Sequence, residues 1–388
     1  MANKNLTKAK KEKNDEFYTQ YPDIQKEVGA YLEYDRNTFR GKVVYCNCDD
    51  PFESNFFRYF ALNFKKLGLR QLITTSYKSS PIANTQLELF GDYEIPEKQK
   101  GRPKVTANKF VINEVGDIDD NGEFNLEDIA RQLKENGQNE WTPLVGDGDF
   151  RSEECISLLE QADIVITNPP FSLFREYVRQ LIDYDKKFLI IGSMNAITYK
   201  EIFPLIKDNK LWLGNKTSSQ QMFLEAPKEY TEKVMATRKQ GMWWRIIDGK
   251  PLVGIHTALW FTNLEHGRRH QPLPLMTMEE NLKYSNHKEI RGKEAYDEYD
   301  NYDAIEVPYT DAIPSDYEGA MGVPISFLDK YCPEQFEILG ATESEGKGFS
   351  NGLWDEGSNV SQPLVDGQRK FKRIFIKHSI KNENNIKN

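Results

Sequence analysis

The sequence has few cysteines, few histidines and no long apolar run. Its four cysteines are too few for a disulfide framework, which favours a reducing, cytoplasmic compartment. The five histidines form no His-Glu-x-x-His motif, and Cys46 and Cys48 have no second cysteine pair at zinc-site spacing, so we predict no metal site. No apolar run approaches the roughly 20 residues of a membrane-spanning helix, and an apolar signal-peptide core is missing from the N-terminus. We therefore exclude disulfide-rich secreted proteins, zinc fingers and membrane proteins.

Positive charge is also in deficit. The 51 Lys and Arg residues are outnumbered by 60 Asp and Glu residues, and the net charge is −9. This balance argues against indiscriminate binding to nucleic acid. The basic residues are nevertheless clustered, at 8–13, 98–104, 266–270 and 369–377. One such cluster is typical of solvated surface, whereas several on one face would form a track for phosphate groups.

Apolar residues are sufficient for a large core, with 38% hydrophobic and 12% aromatic residues in a chain of 388. This length predicts two or three domains, or one large α/β domain with an appendage. Clear strand and helix patterns end near residue 265, and the later residues are Tyr-, Pro- and acid-rich with little periodicity. We therefore predict one domain over 1–265, with an insertion at about 79–139, and a second region over 266–388.

Residues 163–171 are the most informative stretch. Ile164-Val165-Ile166 is a β-branched run typical of a strand buried on both faces of a parallel sheet. Two prolines end this strand, and Ser172 is predicted to cap the helix that follows. The segment Asn168-Pro-Pro-Phe171 is therefore expected at the carboxyl edge of the sheet, where open α/β sheets bind ligands.

The chemistry of this segment suits an exocyclic amino group on a flat ring. The Asn168 side-chain oxygen and the Pro169 carbonyl can accept the two hydrogens of such a group, which directs its lone pair toward an electrophile. Phe171 can stack on the ring, a contact worth about 1–3 kcal/mol per base. The alternative is a helix-entry turn with an ordinary core phenylalanine.

Asn168, Pro169, Pro170 and Phe171 resemble the (Asn/Asp/Ser)-Pro-Pro-(Tyr/Phe) motif of S-adenosylmethionine-dependent amino-methyltransferases, chiefly the enzymes that methylate N6 of adenine in DNA. The run from Cys48 through Phe56 narrows the resemblance to the EcoRI-type modification methylases. This resemblance covers most of the chain. It implies S-adenosylmethionine as cofactor and the four motif residues as the catalytic group.

The resemblance also implies three cofactor-binding segments. One lies before the first helix and would hold the methionine end, one follows the strand Val43–Cys46 and would pair with the ammonium group, and one would hold the cofactor adenine. Their residues are Phe17, Tyr18 and Thr19; Asp49, Asp50 and Pro51; and Asp149 and Phe150. The glycines usual in the second segment and the usual ribose-binding acid after residues 71–77 are absent. The alternatives are a docked N-terminal arm, a capped helix without ligand and a Gly-rich turn.

The implied fold is a Rossmann-like α/β methyltransferase sheet, mostly parallel. An antiparallel hairpin around Asp248-Gly249 is predicted to close it, because this dipeptide is a type I′ turn signal. Trp243 and Trp244 are expected in the core, and residues 144–150 are predicted to contain a strand. The 98–104 cluster is expected to contact DNA. The C-terminal region is interpreted as a target-recognition region, or alternatively as a structural wrap over the sheet edge.

We therefore predict methyl transfer from S-adenosylmethionine to N6 of a flipped-out adenine in a specific double-stranded DNA sequence. The expected partners are duplex DNA, the cofactor and a companion restriction endonuclease acting on the same site. Two rival interpretations remain open at this stage. One is a methyltransferase acting on RNA or protein glutamine, and the other is a non-catalytic DNA-binding or decoy protein with the same fold.

Overall fold

The structure is a computed structural model that describes residues 18–48, 54–76, 107–117, 124–135, 137–247, 249–342, 350, 352–354 and 362–379. The chain forms two compact units. The first consists of Met1–Ala196 with Gly214–Glu265, and the second of Ile197–Leu213 with His266–Asn388. None of the described helices is long and apolar enough to cross a membrane.

The helices and strands are numbered in chain order. The α-helices of the described residues are α1 (Tyr21–Tyr34), α2 (Asn55–Leu62), α3 (Phe64–Leu67), α4 (Leu126–Glu135), α5 (Glu153–Gln161), α6 (Phe174–Asp183), α7 (Phe203–Lys207), α8 (Lys228–Thr237) and α9 (Met278–Tyr284). The strands are β1 (Val43–Cys46), β2 (Gln71–Thr75), β3 (Asn108–Ile112), β4 (Glu140–Pro143), β5 (Ile164–Thr167), β6 (Lys187–Ser193), β7 (Trp212–Leu213), β8 (Met222–Leu224), β9 (Trp244–Ile247), β10 (Lys250–Ile255), β11 (Ala258–Thr262), β12 (Ile305–Glu306), β13 (Met321–Pro324), β14 (Phe336–Ala341), β15 (Leu364–Val365), β16 (Gln368–Arg369) and β17 (Arg373–His378).

The main sheet of the first unit has the strand order β4-β3-β2-β1-β5-β6-β11. Strands β2, β1, β5 and β6 are parallel neighbours and form its centre. On one side β3 and β4 continue the sheet antiparallel, and on the other side β11 pairs antiparallel with β6. This mixed sheet with a parallel core confirms the predicted α/β class.

Burial explains why these segments form strands and helices. Every residue of β1 and β5 is buried, as expected for strands covered by helices on both faces. Helix α1 turns Ile24, Val28 and Tyr31 toward the core, at the i, i+4, i+7 spacing of one helix face. The carboxyl ends of β1, β5 and β6 then meet at one edge, which carries the polar residues that follow each strand.

The predicted hairpin exists but lies elsewhere. Strands β9 and β10 pair antiparallel around Gly249, yet they form a separate three-stranded sheet with β8, in the order β8-β10-β9. In the main sheet the antiparallel neighbour of β6 is instead β11. Trp243 and Trp244 are half-exposed rather than in the core, because β9 is an edge strand whose last three residues face solvent.

Three local predictions also change. Residues 144–150 form a loop, and the strand before them is the largely exposed β4. Ser172 does not cap a helix, because a 3₁₀ turn over Phe171–Leu173 comes first and α6 begins at Phe174. Within the predicted insertion, β3 pairs with β2 and so extends the main sheet. The predicted DNA contact at 98–104 lies outside the described residues.

The second unit contains a sheet of order β12-β13-β17-β14. Its buried polar centre is an ion pair between Arg373 and Glu306, with the Arg373 Nε 3.0 Å from one carboxylate oxygen. The Tyr299 hydroxyl donates to the same carboxylate. Burial deprives both charges of their hydration, so each charge is stabilised by the other. The pair links β12 to β17, which are separated in the sheet by β13. His266 is buried in this unit with its Nε2 3.0 Å from the Leu213 carbonyl oxygen.

Candidate active site

Asn168 lies directly after the last residue of β5, at the carboxyl edge of the sheet. Its side chain is only 7% exposed, so its polar atoms work in a medium of low dielectric. Pro169 is buried, and the half-buried Phe171 packs against the main core cluster. The Leu173 amide donates to the Pro170 carbonyl at 2.9 Å and closes the turn into α6. A polar amide and an aromatic ring are thus held on one rigid strand-to-helix connection.

A buried network ties this connection to the end of β1. The Thr167 hydroxyl donates to the main-chain oxygen of Asn47, and the Tyr177 hydroxyl donates to the Asn47 side-chain oxygen. Burial raises the pKa of Tyr177 well above its ordinary value, so the phenol stays protonated and remains a donor. Asn47 stands two residues before Asp49, the first of the acidic residues predicted to meet the cofactor. The network therefore couples the predicted catalytic segment to the predicted cofactor loop.

The helix after the motif lies unusually close to the sheet. A Cβ atom at Gly192, on β6, would lie 2.6 Å from the Cζ atom of Phe174, the first residue of α6. Only glycine permits this approach. Phe174 also packs on Phe261 with ring centroids 5.0 Å apart. The position of α6, and of the motif that precedes it, therefore depends on glycine at position 192.

Thr19 lies where the predicted methionine-binding segment meets α2. Its main-chain oxygen accepts a hydrogen bond from the Asn55 side chain at 2.8 Å, and Ser54 caps the same helix by accepting from the Phe57 amide. Thr19 is 2% exposed, and its buried hydroxyl oxygen has no hydrogen-bond partner among the described residues. A buried hydroxyl beside a helix N-terminus suits a carboxylate ligand. These residues therefore fit the methionine end of S-adenosylmethionine.

Asp149 and Phe150 occupy the loop after β4. Gly148 has a φ of +78°, and a Cβ atom there would collide with the Ser76 main-chain oxygen. The Phe150 ring is buried edge-on against Tyr177, with centroids 5.0 Å apart. Both Asp149 carboxylate oxygens accept hydrogen bonds from Arg151, at 2.9 and 2.6 Å, and these bonds raise the pKa of the guanidinium. A carboxylate offers about four lone-pair sites, so Asp149 retains room for a further donor.

The structure thus brings several predicted site residues to one edge of the sheet: Tyr18, Thr19, Asp149, Phe150, Asn168, Pro169, Pro170 and Phe171. Phe17, Asp49, Asp50 and Pro51 lie outside the described residues. The sequence analysis missed Asn47, Asn55 and Tyr177 as members of the site. Asn47 could have been found from its place directly after a buried strand, but the Tyr177 contact spans 130 residues and leaves no local signal. No group of His, Cys, Asp or Glu in the described ranges could hold a metal ion.

A parallel-centred sheet, an Asn-Pro-Pro-Phe connection at its carboxyl edge and a buried hydroxyl beside a helix N-terminus define the class of S-adenosylmethionine-dependent amino-methyltransferases. Comparison with known proteins gives the family. The family described as adenine-specific methyltransferase EcoRI matches residues 5–379. The chain is 43% identical to the type II methyltransferase M.EcoRI of Escherichia coli, over 97% of each chain. It is 35% identical to M.MpnI of Mycoplasma pneumoniae, over 96% of this chain and 97% of that protein.

The chain belongs to the EcoRI family of adenine-specific methyltransferases. It is accordingly a type II adenine-specific DNA methyltransferase of restriction-modification systems, with S-adenosylmethionine as methyl donor. Family membership confirms the predicted resemblance, enzyme class and cofactor. It also decides against the rival interpretations of an RNA or glutamine substrate and of a non-catalytic decoy. No solved structure matches the chain.

Proposed function

We propose that Asn168, Pro169, Pro170 and Phe171 bind a flipped-out adenine of a specific duplex sequence and present its N6 amino group for methylation. The observation that carries this proposal is the buried Asn168 side chain at the carboxyl edge, one turn from the half-exposed Phe171. An adenine inside a duplex cannot reach this edge, so it must leave the stack, which costs a few kcal/mol.

The four residues act by position and electrostatics. The Asn168 side-chain oxygen and the Pro169 carbonyl accept the two N6 hydrogens, which concentrates electron density on nitrogen. The Pro170 ring supplies no N–H to compete for the Pro169 carbonyl. Phe171 stacks on the base and offsets part of the cost of unstacking. The bound cofactor would supply an electrophilic methyl group on a sulfonium, whose carbon–sulfur bond breaks as the bond to N6 forms and whose sulfur leaves as a neutral thioether. The N6 proton leaves to water after transfer, so the mechanism needs no basic side chain.

We assign the cofactor to the segments at the same edge. Thr19, with Phe17 and Tyr18, holds the carboxylate at the N-terminus of α2, and Asp49, Asp50 and Pro51 pair with the ammonium group. The adenine end of the cofactor donates its amino group to Asp149 and packs on Phe150. The buried Thr19 hydroxyl and the closeness of Phe150 to Tyr177 support this assignment.

Target recognition is assigned to residues 266–388 and catalysis to residues 1–265 with their insertion at about 79–139. The second unit begins again at His266 and contains basic residues at both of its ends, which supports a role on DNA. A companion restriction endonuclease acting on the same site is proposed from the restriction-modification context of the family. Because the substrate is cellular DNA, we place the protein in the cytoplasm.

The test is sequencing, with detection of modified bases, of DNA from cells expressing the chain. We expect N6-methyladenine at one position of a short sequence. In Asn168→Ala the rate of transfer should fall by at least about a hundredfold, because a group that stabilises the transition state is lost, while cofactor affinity stays the same. Ser172→Ala, an exposed neighbour, is the matched control. Near-normal turnover in Asn168→Ala would remove Asn168 from the mechanism.

A further inference from the structure

A small lobe of the first unit carries a surface that the reaction does not use. It consists of the sheet β8-β10-β9 and the helix α8, and we call it the 222–255 lobe. One side packs on the main core cluster through Met222, Leu224 and Val253. Apart from Thr231 and Val234, helix α8, the turn after it and the edge strand β9 are largely exposed, and we call these exposed residues the outer side of the lobe.

This outer side is rich in exposed apolar side chains. Met242 is 61% exposed and Ile246 58% exposed, and Ile247, Tyr230 and Met235 are also exposed. These five are more than half of the nine large hydrophobic residues that are exposed in the described part of the chain. All five lie between residues 230 and 247, and such a concentration of exposed apolar residues is typical of an interaction surface.

The same surface is positively charged in an acidic protein. The 222–255 lobe contains six Lys or Arg residues and four Asp or Glu residues, a net charge of +2 in a chain of net charge −9. Arg238 lies over the Trp243 ring at 4.5 Å, and Arg245 over the Phe223 ring at 4.3 Å. Stacking holds each guanidinium in place and leaves its N–H edge for a further acceptor. Within the described residues, neither Lys233 nor Lys239 has a carboxylate at ion-pair distance.

The lobe is attached to the edge of the sheet that carries Asn168. Strand β11 runs antiparallel to β6 and begins at Ala258, opposite Ser193 at the carboxyl end of β6. Strand β10 ends only three residues earlier, at Ile255. The lobe also pairs with the predicted methionine-binding segment. The Tyr18 amide donates to the Glu225 main-chain oxygen at 2.8 Å, and the Glu225 amide donates to the Tyr18 main-chain oxygen at 3.1 Å. A duplex delivering a base to Asn168 must pass along this edge.

We propose that the 222–255 lobe is a DNA-contacting surface that holds the duplex flanking the target base. The cations of α8 and of the turn before β9 contact phosphates, and Met242 and Ile246 pack against the sugars and the groove wall. This inference rests on the proposed function, because it assumes that the base enters at the Asn168 edge. Positive charge complements the phosphate backbone, whereas a two-fold dimer through this surface would bring the same cations of two copies together, and this favours DNA over a second copy of the chain.

The experiment compares two surface variants with a matched control. One is Lys233→Ala with Lys239→Ala, and the other is Met242→Ala with Ile246→Ser. The control is Lys65→Ala with Lys66→Ala, two exposed lysines of α3 near the opposite, amino edge of the sheet. Binding of the full chain to a fluorescent random-sequence duplex is measured by anisotropy across salt concentrations, and methyl transfer is measured on unmodified plasmid DNA.

The plot of log K against log salt concentration has a negative slope, and each lost phosphate contact should make it less steep by about 0.9. We therefore expect the slope of log K against log salt to be about two units less steep in the lysine variant. The apolar variant should bind DNA about tenfold more weakly with its slope unchanged. Cofactor affinity should stay at the wild-type value in both, and the control should behave as wild type.

Three outcomes would overturn the proposal. If both variants bind DNA with wild-type affinity and slope while the wild type methylates plasmid DNA, only the lobe assignment fails. If sedimentation shows that the apolar variant converts a dimer to a monomer without loss of DNA binding, the surface joins two copies of the chain instead. If the wild type transfers no methyl group to DNA, the proposed function and this inference fail together.

Discussion

Removing the Tyr177 hydroxyl tests whether the network at Asn47 serves the reaction or only the fold. Tyr177→Phe deletes the donor to the Asn47 side-chain oxygen and, within the described part of the chain, leaves that buried acceptor with only the Cys48 thiol, 3.6 Å away. An unsatisfied buried acceptor costs about 1–3 kcal/mol, so we expect the free energy of unfolding to fall by about 2 kcal/mol. Because the Tyr177 phenol is protonated, the exchange removes no charge, and the phenylalanine ring fills the same buried space.

The diagnostic quantity is cofactor affinity. Asn47 begins the loop that leads to Asp49, and an Asn47 side chain released from Tyr177 allows that loop to move. If the loose loop lowers the binding free energy of S-adenosylmethionine by about 1.4 kcal/mol, calorimetry should show about tenfold weaker binding of the cofactor. The affinity for duplex DNA should stay unchanged. The matched control is Tyr31→Phe on α1, which removes an equally buried hydroxyl that donates to Glu27 at 3.3 Å. If both variants lose stability and neither loses cofactor affinity, the network is purely structural and our argument is refuted.

Three further predictions concern single residues. Thr19→Val removes a buried hydroxyl that has no partner among the described residues, so calorimetry should show about tenfold weaker cofactor binding with no loss of thermal stability; unchanged binding would remove Thr19 from the cofactor site. Cys48→Gly should raise the free energy of unfolding by about 1 kcal/mol in urea titrations, because Cys48 has a φ of +71° that glycine adopts without strain; destabilisation would contradict this account. Burial, with help from Arg268 and Arg269, lowers the pKa of His266 to about 4, so the unfolded chain binds this proton more readily than the folded chain. The free energy of unfolding should therefore fall by up to about 3 kcal/mol as the pH drops from 6.5 to 4. His266→Gln should lack this part of the pH dependence.

The sequence predicted those features that are encoded by neighbouring residues. The run Ile164-Val165-Ile166 and the two prolines after it are a local signal, and β5 with its turn follows that signal closely. The hairpin of β9 and β10 was predicted for the same reason, since such a turn depends on the φ angles of its own residues, and Gly249 has a φ of +77°.

Features decided by distant residues could not be predicted. Strand β10 pairs with β8 instead of joining the main sheet. This pairing depends on how the whole 222–255 lobe packs. Residues 144–150 have a strand-like start at Leu144 and Val145, but Gly148 must adopt a positive φ beneath the Ser76 carbonyl, and Val145 is almost fully exposed. Ser172 has the chemistry of a cap, yet the two prolines lead into a 3₁₀ turn that moves the first helical residue from Leu173 to Phe174.

The bare backbone at Gly192 has a consequence for substrate choice. Because the Phe174 ring lies against it, even a methyl group there would push α6 away from the sheet and carry Phe171, three residues earlier, outward with it. On the proposed assignment of Phe171 to the target base, the distance between that ring and the base is thus controlled by a residue that never touches the base. Exchanging glycine for alanine at this one position is therefore expected to change which rings the enzyme accepts, through displacement of Phe171 rather than through a new contact with the base.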